Sequence, residues 1–473
     1  MAVVGATAVA AIALGCGNQY RPVITPIQPT GPAALPSANI VVISQPDFVL
    51  PTGTVPCGGG TYATPSIITV VNFSGDSVEA QANGGNGPLT FSLDATGSTV
   101  YSPDCDGTLI TAPGNSSLQS KSVQSSTLLP GAQPTNTLVD NGSLYVVESG
   151  LHGPTCQATN CVAQLTGSPQ ALKQEIPVAP SLINLAGYIS AERIYAISQG
   201  NSAQLQAGGT PLPWGSCANP GSVTTNGEAD AIETTTNTIS ARLQLGVCPV
   251  YGYMTPDVQR VFIMNRGSGT VTVINAQLNA LDTQFSPTST ITVGAGPVFA
   301  DYYRTGQLLV TSNYDGNSIS IIDVSLDVYG NDSATFGTVL ATVPVGLHPV
   351  EVTVLQDGSR AYVANQGDIA AGTPGSVSIV NLQNYTVEGT IPLTSNPHAI
   401  ASIYNYPIGK VYVVSQNSPY LTVIRTDTDN VSATPEMQGN IVEMHVNAQY
   451  PGQSATATQN SQVESRSVGS GAP

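Results

Sequence analysis

The sequence predicts an all-β chain folded as a β-propeller of four-stranded blades. Eight blades are expected, one of them split between the two ends of the chain, with seven blades as the alternative. Three observations carry this. The phrase "DGSRAYVANQGD" at 357–368, a polar turn, an alternating strand and a second polar turn, returns as "GKVYVVSQNS", "AERIYAISQGN", "NGSLYVVESG", "QRVFIMNRGSG" and "GQLLVTSNYDG". A proline precedes the first strand of each unit, at Pro88, Pro134, Pro180, Pro249, Pro297, Pro349 and Pro397, spaced by 46, 46, 69, 48, 52 and 48 residues. No stretch carries a convincing helical period, and four short strands per 46 to 52 residues is the pattern of a propeller blade.

In chain order, residues 1–16 hold an apolar run from Ala2 to Leu14, too short to span a bilayer as a helix and suited to a signal-peptide core. The run ends in "ALGC", which resembles the lipobox of bacterial lipoproteins. That resemblance implies cleavage before Cys16 and acylation of its thiol, and Gly17 after it implies an outer-membrane destination. Residues 17–38 carry Pro22, Pro26, Pro29, Pro32 and Pro36 and read as an extended tether. Residues 39–451 are the propeller.

Its opening strands, "NIVVISQ", "SIITVVN" and "SVEAQANGGNGP", match the second, third and fourth strands of a blade whose first strand is missing. The late segment "QGNIVEMHVN" at 438–447 supplies it, which closes the ring and leaves no unpaired sheet edge. The 69-residue unit holds an insertion at about 201–246 that includes Trp214, the one tryptophan. Residues 452–473 are small and polar and read as a disordered tail.

At 473 residues and 41% hydrophobic content the chain is long enough and apolar enough for a large packed core. Twelve basic residues stand against 29 acidic ones, a net charge of −17, and no Lys/Arg cluster interrupts it. That balance excludes nucleic acid as a partner and serves solubility.

The motif "YVAN" at Tyr362 to Asn365, followed by "VSIVN", resembles the YVTN-repeat β-propeller family of extracytoplasmic bacterial and archaeal proteins, most clearly from Pro249 to Val431. The resemblance implies a cell-surface or periplasmic propeller and leaves its activity open. Similar propellers include lactonases and the propeller parts of quinoprotein dehydrogenases and of nitrous-oxide reductase. The copper cluster of the last needs many histidines, and this chain has four.

Cysteines other than Cys16 number six, all in loops. Sequential pairing, Cys57 with Cys105, Cys156 with Cys161 and Cys217 with Cys248, is preferred among fifteen connectivities. No CxxC pair or zinc-spaced histidine points to metal instead, and no metal or other cofactor is expected. The acidic turn with Asp323, Asp327, Asn331 and Asp332 reads as solvated loop, with calcium ligation the weaker reading.

No catalytic signature is present, so the expected role is binding or scaffolding through the Trp214 loop, with an unidentified protein or carbohydrate of the cell envelope as partner and a lipid anchor on Cys16. The rival expectation is a lactonase-type enzyme at the central channel, using His348, Glu351, His398 and Glu443, with His445 nearby.

Overall fold

The computed structural model describes residues 38–447 except 47–63, 95, 141, 189–190, 200–216, 218–224, 286–288, 304–306 and 404–408. The segments expected as signal peptide (1–16), tether (17–38, apart from Ala38) and tail (452–473), together with Cys16, Cys57 and Trp214, lie outside the described residues. Eight antiparallel sheets follow one another; within each, sequence neighbours pair, except that in the split blade the last strand pairs with the first and in blade 4 a short fifth strand, Thr290–Thr292, pairs with the third. Blades 1 to 7 span 92–127, 134–177, 182–247, 249–292, 297–344, 349–392 and 397–433. Blade 8 joins Asn440–Val446 to Asn39–Gln45, Ile67–Asn72 and Val78–Asn83, so the predicted split closure is present.

Five of the marking prolines, Pro134, Pro249, Pro297, Pro349 and Pro397, are the first residue of an innermost strand, where a missing N–H leaves no gap in the ladder. Pro88 instead bridges Asp104, and the innermost strand of blade 1 shrinks to Ser92–Leu93. The insertion in the long unit is smaller than the sequence suggests. Residues 226–247 form the third and fourth strands of blade 3, the fourth stretched to ten residues, so the extra chain is confined to the turn between the second strand, Arg193–Ser198, and the third, Asn226–Glu233.

Innermost strands such as Pro349–Val354 are buried throughout, whereas outer strands such as Thr386–Pro392 are mostly exposed, the gradient expected when blades pack face to face around an axis. Apolar side chains join each blade to the next. Blades 4 to 7 share one core that includes Phe262, Leu309, Tyr362 and Val413, and blade 8 joins blade 1 through Val41, Ile43, Phe91 and Val100.

The recurring tyrosine explains itself at these junctions. Tyr145, Tyr195, Tyr362 and Tyr412 sit on second strands and are fully buried. Tyr145 donates to Asn237 Oδ1 at 2.8 Å, Tyr195 to Asn279 Oδ1 at 3.4 Å and Tyr362 to Asp429 Oδ1 at 2.5 Å. Each acceptor belongs to the next blade, in the turn between its third and fourth strands. There it adopts the left-handed conformation (φ 55°, 51° and 54°) that Asn and Asp tolerate better than most residues. A cation two residues before the tyrosine reinforces the junction: Arg360 pairs with the same Asp429, and Lys410 pairs with Asp76 at 2.7 Å.

Asn447 locks the closure. Its backbone N–H donates to Asn39 O, its Oδ1 accepts from Asn39 N at 2.6 Å, and its Nδ2 donates to Gly114 O at 2.9 Å in blade 1. Gly97 is required beside it, because φ is +67° there and a Cβ would lie 2.5 Å from Asn447 Cβ.

Candidate functional site

In an antiparallel meander the turns between second and third strands share a rim with the links from one blade to the next, and the remaining turns occupy the opposite rim. Every described cysteine lies on that first rim. Cys105 follows the second strand of blade 1, Cys156 and Cys161 bound the same turn of blade 2, Cys217 lies in that turn of blade 3, and Cys248 is in the link to blade 4. Cys156–Cys161 and Cys217–Cys248 are disulfides with Cα separations of 5.9 and 5.6 Å, as the sequential pairing expects. Cys105 is also disulfide-bonded, to a partner outside the described residues. Disulfides form and persist in oxidising compartments, so the folded domain is extracytoplasmic.

The residues proposed for channel chemistry lie on or beside innermost strands, and two of them, Glu351 and His398, bond the backbone of the neighbouring blade. Glu351 Oε2 accepts from Ile400 N in blade 7 at 2.8 Å, and Asp301 Oδ2 accepts in the same way from Val354 N in blade 6 at 2.7 Å. His398 Nε2 donates to Val442 O in blade 8 at 3.0 Å, and Glu443 accepts from Met444 N at 3.1 Å. His348 donates from Nδ1 to Gly367 O at 2.9 Å and stacks on Tyr314 with ring centroids 4.6 Å apart, while His445 meets the edge of Phe91. Among the described residues these three histidines do not converge as a ligand set.

The acidic turn is likewise engaged internally. Asp327 accepts from Tyr329 N and Asn331 N, which holds its carboxyl below the usual range, Asp332 pairs with Arg260, and Asp323 accepts from Ser325 N.

A different group of side chains converges on the disulfide-bearing rim. Glu148 ends the second strand of blade 2, His152 sits in the turn that follows, and Glu175 is near the end of the fourth strand. The turn is held by Gly150 N donating to Ala132 O, by His152 N donating to Cys156 O and by Asn160 Nδ2 donating to Ser149 O. His152 Nδ1 lies 3.0 Å from Gly150 O, an acceptor only, so Nδ1 carries a proton. Nε2 faces two carboxylates, Glu175 Oε1 at 2.8 Å and Glu148 Oε2 at 3.4 Å.

The side chains of His152 and Glu148 are fully buried and that of Glu175 nearly so. Burial, and then the charge of Glu175, push the Glu148 carboxyl up to about 8. Cys156 Sγ also lies within 4.8 Å of this group, but it belongs to a disulfide.

Sequence reading missed this cluster. The spacing of four from Glu148 to His152 and on to Cys156 suggests a helix face, whereas 148–156 is the end of a strand and the turn after it. Glu175 arrives only through the pairing of Cys161–Thr166 with Ala171–Pro177.

Ring and closure define an eight-bladed β-propeller. No family model and no curated protein sequence matches the chain. Among solved structures it is similar to apo AztD from Citrobacter koseri, at 11% identity and a TM-score of 0.52, over 86% of this chain and 98% of that one. It is also similar to the dihydro-heme d1 dehydrogenase NirN in complex with DHE, at 12% identity and a TM-score of 0.57, over 85% of this chain and 77% of that one. At such identities the likeness is one of fold.

Proposed function

We propose that this chain is an extracytoplasmic binding or scaffolding propeller that engages a protein or carbohydrate of the cell envelope through its disulfide-bearing rim, without turnover of its own. The observation that carries the reading is the gathering of every described cysteine on the loops of one rim. Covalent restraint there lowers the entropy lost when a loop grips a partner. Trp214 stands three residues before Cys217 in the sequence and supplies an aromatic residue of the kind enriched at binding hot spots. The lipobox-like "ALGC" and the proline-rich tether support attachment to the outer membrane through an acylated Cys16, and the "YVAN" phrase supports kinship with YVTN-repeat surface propellers.

The purified domain is incubated with a panel of envelope glycans and lactones, alongside the Trp214→Ala and His398→Ala variants. Binding lost only in Trp214→Ala, with no product in any sample, is the expected result. Hydrolysis that disappears in His398→Ala and survives in Trp214→Ala would establish the lactonase reading instead. Cys16→Ser is expected to move the protein from the membrane fraction to the soluble extracytoplasmic one, and a wild type that is already soluble and lipid-free removes the anchor.

A further inference from the structure

We propose that Glu148, His152 and Glu175 form a binding site for one divalent transition-metal cation, zinc being the representative, which clamps the disulfide-bearing turn of blade 2 to its outer strand. The argument begins with hydrogen-bond supply. With Nδ1 committed as donor to Gly150 O, His152 aims Nε2 at two carboxyl groups, so three potential ligand atoms face one another at 2.8 and 3.4 Å.

A proton on Nε2 satisfies only Glu175, the nearer carboxylate at 2.8 Å. Glu148 is 0% exposed, and neither of its carboxylate oxygens has a hydrogen-bond donor. Ionised or protonated, the Glu148 carboxyl has no hydrogen-bond partner, and a buried polar group without one is unfavourable in a protein interior. A single cation serves all three groups at once, which a single proton does not.

Geometry and donor chemistry agree. Ligands at about 2.0–2.2 Å around a tetrahedral cation lie roughly 3.3 Å apart, and the Nε2 to oxygen separations here are 2.8 and 3.4 Å. Imidazole with two carboxylates suits zinc and its first-row neighbours better than magnesium or calcium, which favour oxygen alone. The Nδ1 contact to a backbone carbonyl is the outer contact that fixes the ring of a metal-bound histidine. Cys156 offers a disulfide sulfur rather than a thiolate, so the ligand set is one nitrogen and carboxylate oxygens, with water completing it from the slightly exposed Glu175 side. This site goes beyond the partner-binding reading and does not depend on it.

The test uses the full mature chain stripped with chelator and titrated with zinc in a calorimeter. One cation per chain is expected, with a zinc-dependent rise in melting midpoint. Glu148→Gln, Glu175→Gln and His152→Gln should each weaken binding by more than the about 10–100-fold typical of losing an outer contact, and should abolish the thermal shift. A wild type that takes up no zinc, or variants that bind it as the wild type does, would overturn the site. X-ray absorption on the zinc-loaded wild type needs no variant to fold. One imidazole among oxygen neighbours is expected, and sulfur or several imidazoles in the shell would also overturn it.

Discussion

Blades 4 to 7 and blades 8, 1, 2 and 3 are built from the same strand meander yet differ in how they are held. In the first arc the turns between second and third strands are shorter than those of blades 2 and 3, the repeat stays between 48 and 52 residues, one continuous apolar core runs through the blades, and no described cysteine lies beyond the link at Cys248. In the second arc the core divides into smaller clusters, blade 1 has a two-residue innermost strand, and the rim turns lengthen and acquire disulfides. A regular repeat is stabilised by burial and needs no covalent help. Where loops grow to offer a surface, burial per residue falls and cross-links replace it.

The strongest way to break the comparison is to open the ring where the arcs meet. Deleting 438–473 removes the strand carrying Ile441, Val442, Met444 and Val446, each buried and worth roughly 1.5–3 kcal/mol. The sum is comparable with the net stability of a typical domain, about 5–15 kcal/mol. The truncated protein is expected to lose its cooperative melt, whereas an unchanged midpoint would mean that the ring does not rely on the terminal strand.

Next in size is the covalent term. Replacing Cys217 and Cys248 by Ser opens a link across 31 residues and is expected to remove about 3–4 kcal/mol in the chain-entropy model, whereas opening Cys156–Cys161, across five, should remove less. Urea midpoints read the difference, and equal losses would show that loop length does not set the contribution.

Smaller still are the tyrosine clasps. Tyr362→Phe loses a hydrogen bond to the Arg360-paired Asp429 and is expected to lower stability by about 1.5–3 kcal/mol. Tyr145→Phe loses a neutral bond to Asn237 and about 0.5–1.5 kcal/mol. The reverse order would mean that the charged clasp contributes no more than its neutral counterpart.

A separate effect is a slope with pH, to which both arcs contribute. Burial pushes Asp301 from the usual 3.8 to about 6, and burial also raises Asp230. A folded-state value above the unfolded one means the native protein holds a proton the unfolded chain releases. The associated stability is therefore fully present below about 3.8 and is lost as pH rises through about 6. Melting midpoints should decline across that window, and Asp301→Asn should flatten the decline. An unaltered slope would show that Asp301 does not bear it.

How much was legible follows from the range of each interaction. Alternating strands, turn residues and the proline that opens a blade are local, so blade number, order and the split closure could be read from residues such as Pro249, Tyr362 and the "QGNIVEMHVN" strand. The insertion around Trp214 is narrower than 201–246 because 226–247 belongs to the third and fourth strands of blade 3, which leaves the extra residues between Ser198 and Asn226. His348, Glu351, His398 and Glu443 lie on or beside inner strands, but strand alternation does not say which backbone atom a side chain will meet.

The sequence by itself determined the architecture, because a propeller is a short-range pattern repeated until it closes. Only the tertiary structure decided which polar residues serve as bolts between blades and which converge on one point. Glu351 reaches Ile400 across a blade junction, and Glu175 reaches His152 across a sheet. Such contacts depend on the packing angle between elements distant in sequence, a quantity that no local spacing encodes.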